Sequence, residues 1–86
     1  MRSMSNAKNG QTALSEREWK SVRDGFAKNY RVARDKAGLK HRDVTDQLGL
    51  HVSASFRWAY RETIPSVRDL YALARVLGCK TRDLLP

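Results

Sequence analysis

An all-α fold, a compact bundle of five short helices, is the class this sequence predicts, and three observations predict it. Apolar residues recur at spacings of three and four with no sustained alternation of period two, which is the pattern of helices burying one face. Gly38, Gly49 and Gly78 stand at the ends of those stripes, where a glycine closes a helix in the left-handed conformation. Ser15 and Ser66 stand at the starts, where a hydroxyl can accept from the free amides of a first turn.

Residues 1–14, opening MRSMSNAKNGQTA, hold Gly, Asn, Ser and Lys without apolar periodicity and read as a flexible arm, leaving 15–86 as one domain. The first helix begins at Ser15, with Glu18 as its capping-box partner and Leu14 able to staple onto Trp19. Its inward stripe is Trp19, Val22, Phe26, Tyr30, Ala33 and Ala37, and Arg17, Lys20, Arg23, Lys28, Arg31 and Arg34 mostly cover the rest. Gly25, in the middle, costs about 1 kcal/mol relative to Ala and marks a candidate break into two shorter helices. The second helix, Lys40 to Leu48, carries Val44 and Leu48 on its inner side and ends at Gly49. The third spans residues 51–60 and must stop before Ile64, because the residue ahead of Pro65 is driven to extended geometry. In the fourth, capped by Ser66 with Asp69 at the positive end of the dipole, Val67, Leu70, Ala74 and Leu77 form the inner stripe, widened by Tyr71, Leu73 and Val76. A last turn, TRDLL, offers Leu84 and Leu85 as apolar plugs.

Composition narrows the function. A chain of 86 residues with 17 Lys and Arg against nine Asp and Glu carries a net charge of +8, which suits an anionic partner such as nucleic acid as well as it suits a merely soluble basic protein. The single cysteine, Cys79, allows neither an internal disulfide nor a cysteine-based zinc site. With no apolar run near the roughly 18 residues of a membrane span and no signal-peptide stretch, the expected location is cytoplasmic, associated with the nucleoid when bound to DNA. No nucleophile, base and orienting group stand together, and the histidines lack metal-site spacing, so no enzymatic activity, cofactor or metal is expected. Trp19, Phe26, Tyr30, Trp58 and Tyr71 lie on inward stripes and read as core rather than as a base-stacking platform.

From Arg34 to Leu85, about two thirds of the chain, the order of helices, Gly-Leu turns, proline loop and capped helix resembles the lambda-repressor and Cro-like helix-turn-helix family. Val44, Leu48, Leu50 and Trp58 stand where that family has apolar residues, and Gly49 stands at its turn glycine. Pro65, Ser66, Leu70, Leu73, Ala74, Leu77 and Gly78 match its fourth helix. Departures are Lys40 and Thr45, where the family favours Ser or Thr and Ala, and Ala59, where a Glu usually pairs with the arginine at Arg34. The inward position of the recognition helix, usually Ile or Val, is Ser55, and the outward one after it is Phe56. Either Ser55 is buried with its hydroxyl bonded back to a carbonyl one turn earlier, or the helix rotates so that Phe56 packs.

The resemblance implies that helix 51–60 lies in the major groove of double-stranded DNA while the second helix crosses the backbone. It makes Val52, Ser53, Phe56 and Arg57 candidates for reading base edges, and Lys40, His41, Arg42, His51, Arg61 and Thr63 candidates for phosphate contacts. Arg57 can grip guanine O6 and N7 with two bonds, or clamp a phosphate; Val52 can meet a thymine methyl, or pack. The implied function is a sequence-specific transcriptional regulator, a repressor of phage or mobile-element type, binding a palindromic operator as a homodimer with half-sites about 34 Å apart. Two alternatives stay open. One is an antitoxin or restriction-system control protein, which would also meet a protein partner. The other is a protein-interaction module anchored on Phe56 and Val52 without DNA specificity.

Overall fold

The computed structural model describes residues 13–86, so the arm expected at 1–14 falls almost wholly outside the described residues. At Ser15 the capping box forms as expected: its hydroxyl accepts from the Glu18 amide at 3.1 Å, and Glu18 accepts from the Ser15 amide at 2.8 Å. Leu14, expected to staple onto Trp19, is 56% exposed, and Trp19 is half-buried. The helix that follows, α1 (Glu16–Ala37), runs 22 residues without a break. The expected break at Gly25 is therefore wrong. A Cβ there would stand 2.5 Å from the Pro86 Cβ, so what the glycine provides is room for the C-terminal segment to lie against α1. Phe26 and Tyr30 are fully buried, while Trp19 and Val22 are half-buried and Ala37 is exposed, so the inward stripe frays at both ends.

Each turn in the bundle is built by the same chemistry. After α1, α2 (His41–Leu48) and α4 (Val67–Leu77), a glycine at φ 70° lets the next two amides fold back onto the last turn's carbonyls. Leu39, Leu50 and Cys79 donate to the carbonyls of Arg34, Thr45 and Ala74 at 3.2, 2.9 and 3.0 Å. A short sequence repeat, GLKHRDV at 38–44 and GCKTRDL at 78–84, continues two of these corners into the next helix, α2 and α5 (Thr81–Leu84). In both copies an aspartate accepts from the backbone amide of the lysine three residues earlier, Asp43 from Lys40 at 2.9 Å and Asp83 from Lys80 at 3.0 Å. The copies end in Val44 and Leu84, both fully buried. With lysine in place of Ser or Thr only half of the capping box forms: the carboxylate satisfies the lysine's own amide, while the amide three residues on gains no side-chain acceptor. Thr45, buried in α2, is satisfied in its turn by donating to the carbonyls of His41 and Arg42 at 3.2 and 3.3 Å.

The third helix, α3 (Ser53–Ala59), is seven residues long, shorter than the expected 51–60 because Tyr60 and Arg61 already belong to its closure. The Glu62 amide donates back to the Arg57 carbonyl at 2.9 Å, which puts Arg61 at φ 71° in the position held elsewhere by glycine. A side chain in that conformation costs about 1 kcal/mol. Arg61→Gly should accordingly raise the stability of the free protein by about 1 kcal/mol, read as a higher urea midpoint with unchanged slope.

The core lies between α1, α2, α3 and α4, with α5 plugging one end. Phe26, Tyr30, Val44, Trp58, Leu73, Leu77 and Leu84 fill it, and Leu39, Leu48, Leu50 and Ile64 pack on its edge. Tyr30 is stacked on Phe26 and meets Trp58 edge-on at 5.8 Å between ring centres. Ser66 caps α4 through the Asp69 amide at 3.2 Å. Two residues expected on its inner stripe are not there. Val67 is 71% exposed although Leu70, in the same first turn, is buried, and Tyr71, at 62%, points a hundred degrees away from Leu70. Leu84 plugs the core as expected, whereas Leu85 is 46% exposed.

Three α1 arginines expected on its surface tie it to helix ends. Arg31 donates to the Ala59 carbonyl, and Arg23 to that of Glu62 at 3.3 Å, both at the carbonyl end of α3. Arg34 donates to the Leu39 carbonyl at 2.8 Å, just beyond its own helix, and lies 3.5 Å from Asp35. That is where the arginine goes in a chain with Ala59 in place of the usual glutamate.

Candidate nucleic-acid interface

The sequence departs from its resemblance most sharply at Ser55 and Phe56, and there the helix keeps its rotation. Ser55, Trp58 and Ala59 point inward, with Ser55 at 0% exposure, while Phe56 faces out at 41%. A rotation that packs Phe56 into the core is thereby excluded. The expected back-bond from Ser55 to its own helix is also replaced, because better partners lie across the bundle. Its Oγ is 2.5 Å from the Tyr30 hydroxyl on α1 and 2.6 Å from Nδ1 of His41 at the start of α2. One buried hydroxyl thus joins three helices. Burial pushes the Tyr30 phenol above its ordinary pKa, against its hydrogen bond with Ser55 and the charge of Arg34, so it stays protonated. Burial also lowers the pKa of His41, helped by Arg34 and opposed by Asp35.

Outside that junction, Phe56 lies against the His41 ring at 4.1 Å between centres and against Tyr60 at 6.1 Å. The result is an aromatic ladder from the start of α2 to the end of α3. Tyr60 is an exposed member of this surface that was not among the sequence candidates; its signal was the i, i+4 spacing from Phe56.

A second set of candidates forms a hydrogen-bonded row along the outward side of α3. Nδ1 of His51 accepts from the Ser53 amide at 3.1 Å, so His51 caps the helix, and the Ser53 hydroxyl lies 2.9 Å from the same nitrogen. One turn on, Arg57 donates to the Ser53 hydroxyl at 3.4 Å. With Nδ1 as acceptor, the donors run in one direction, from Arg57 to Ser53 to His51. Val52, half-buried just before the helix, is in neither set.

The remaining candidates are more dispersed. Lys40 and Arg42 flank His41 in sequence, are exposed, and make no ion pair among the described residues. Arg61 is exposed beyond Tyr60, with Asp24 3.9 Å away. Lys20, hydrogen-bonded to Asp24, lowers the pKa of that carboxyl, with smaller help from the charges of Arg61 and Arg23, so it is ionised at neutral pH. Thr63 is half-buried and its hydroxyl donates to the Ile64 carbonyl at 3.2 Å, so it is the phosphate candidate least free to act. Among the described residues, no group of three His, Cys, Asp or Glu side chains could hold a metal, and no helix is long and apolar enough to cross a membrane.

Two short helices meeting across a glycine corner, the second presenting Arg57 and a run of polar and aromatic side chains outward, define a DNA-binding helix-turn-helix regulator. The family model for helix-turn-helix domains matches residues 31–84, and the chain belongs to that family, the Cro/C1-type or XRE group of DNA-binding regulatory domains. A search of curated proteins finds no match.

Proposed function

We propose that the protein is a sequence-specific transcriptional repressor that places α3 in the major groove of a palindromic operator and binds it as a homodimer. The observation that carries this reading is the row along α3. Arg57 is exposed, oriented by Ser53 and free of any carboxylate within ion-pair distance among the described residues, so its remaining donors are available to a base edge. Ser53 is the weaker reader, since its hydroxyl can donate or accept, and Phe56 offers an apolar face to a thymine methyl. Lys40, His41, Arg42 and Arg61 supply the phosphate contacts, with His51 acting mainly as the helix cap. For the dimer, Val32 and Leu85 are apolar and exposed on the helices farthest in sequence from the recognition helix.

Selection of binding sites from random duplexes tests this directly. The expected result is an enriched palindrome with half-sites about one helical turn apart. Selection that enriches no sequence would favour the interaction module anchored on Phe56. Salt dependence supplies an independent check: with about six phosphates contacted, log affinity should fall against log salt with a slope of about −5. A slope near zero, measured by titration at several salt concentrations, would rule out phosphate anchoring.

A further inference from the structure

We propose that Ser55, with Tyr30 behind it, is a positioning residue for His41, holding the imidazole neutral with Nδ1 as acceptor and Nε2–H directed outward as a donor to a phosphate oxygen of the duplex. The inference rests on the DNA-binding reading for the phosphate, and on the geometry of this chain for the rest.

A count of hydrogens carries it. Tyr30 is fully buried and its hydroxyl has one partner, Ser55 Oγ; Ser55 is fully buried with two partners, that hydroxyl and His41 Nδ1. In the neutral chain, Tyr30 O–H donates to Ser55 and Ser55 O–H donates to Nδ1, so two hydrogens fill two contacts. Placing a proton on Nδ1 puts three hydrogens into the same two contacts and leaves one buried hydroxyl without an acceptor, which is disfavoured. The neutral ring therefore carries its hydrogen on Nε2. That nitrogen has no partner among the described residues, yet it is not among the buried unpartnered atoms, so it is open on its outer side. The Phe56 ring, 4.1 Å from that of His41, closes one face of the imidazole and restricts its rotation.

The groups facing His41 act consistently with this. From α1 the Arg34 guanidinium opposes a second positive charge and Asp35 favours one; from α3, Ser55 and Phe56 meet the ring, and neither is charged. Burial outweighs Asp35, and the pKa lies below the ordinary value of about 6.5. Because the folded value is the lower one, the stability contributed by the neutral ring is complete above the unfolded value and is lost as pH falls through the folded value.

The test combines the free chain with its duplex complex. In nitrogen-15 NMR of the full chain, the His41 ring should show the Nε2–H tautomer and titrate below an ordinary histidine. Ser55→Ala leaves the Tyr30 hydroxyl stranded and so could fail to fold; the double variant Tyr30→Phe/Ser55→Ala removes both polar groups and keeps the core satisfied. In either variant that folds, the Nε2–H fraction should fall to that of a free histidine, which favours this tautomer only weakly. In duplex binding, His41→Ala should lose about tenfold in affinity. Gln, whose amide nitrogen sits where Nε2 does, should recover most of that loss, whereas Asn, which mimics Nδ1, should not. An Nδ1–H tautomer in the wild type, or tautomer preference unchanged in the double variant, overturns the proposal. So does a His41→Ala protein that binds duplex as tightly as wild type. A wild type without affinity for any duplex overturns the DNA-binding reading instead, and the two failures are separable because the tautomer is measured on the free chain.

Discussion

Arg57→Ala is expected to flatten base preference at one position of the selected site, by roughly 5- to 150-fold, while leaving preference elsewhere intact. The guanidinium stands on the outward side of α3 one turn beyond Ser53, and the single bond holding it at 3.4 Å leaves most of its donors unused. Two parallel bonds to guanine O6 and N7 would use them, and such a contact discriminates against the wrong base by about 1 to 3 kcal/mol. Arg61→Ala should behave differently. Its side chain leaves the corner after α3, loosely paired with Asp24, and a phosphate contact there weakens all duplexes alike when removed, reducing the salt slope by about one unit. Site selection and salt titration on the two variants separate these outcomes. Identical behaviour would show that reader and anchor are wrongly assigned.

The second large effect concerns the fold that holds the reader. Trp58→Ala should destabilise the protein by about 3 to 5 kcal/mol, a large part of the roughly 5 to 15 kcal/mol available to a domain. Trp58 is buried with its ring edge-on to Tyr30, and it is the largest inward side chain of a seven-residue helix. A helix that short does not persist without tertiary contacts. Loss of the indole should therefore lower the urea midpoint sharply and abolish duplex binding at temperatures where the wild type is still folded. A variant with a wild-type midpoint would mean that α3 is held chiefly by Arg31 and Arg23 at its carbonyl end.

The sequence made the frame legible because its punctuation is local. A hydroxyl at Ser15 or Ser66 and a glycine at 38, 49 or 78 act within one turn of themselves, and α1 and α4 begin and end, and α2 ends, where those residues place them. The corner at Arg61 was missed because its signal, a glycine, is absent although the conformation is the same. Periodicity places Val67 inward because it assigns a face to the whole helix, whereas burial needs a neighbour at each position, and Val67 has too little cover to fall below 71% exposure. Gly25 reads in the sequence as a weakness in a helix, but its smallness serves a contact with Pro86, which periodicity cannot register. At the candidate interface, a polar residue at the inward position announced that Ser55 needed partners. Identifying Tyr30 and His41 required knowing that α1 and α2 converge on it, which is tertiary information.

The duplicated corners at 38–44 and 78–84 also bear on how the chain finds its fold. Their hydrogen bonds span three to five residues, so each can close and reopen with little loop entropy, independently of the rest. Directional reversals between helices are thus specified before any long-range encounter. What remains are the encounters distant in sequence: Tyr30 with Ser55, 25 residues apart, which brings α1 against α3, and Asn29 with the Leu84 carbonyl, 55 apart, which brings α1 against α5. In this small protein the same buried hydroxyl that ties the core together is also one of the contacts by which segments distant along the chain are joined.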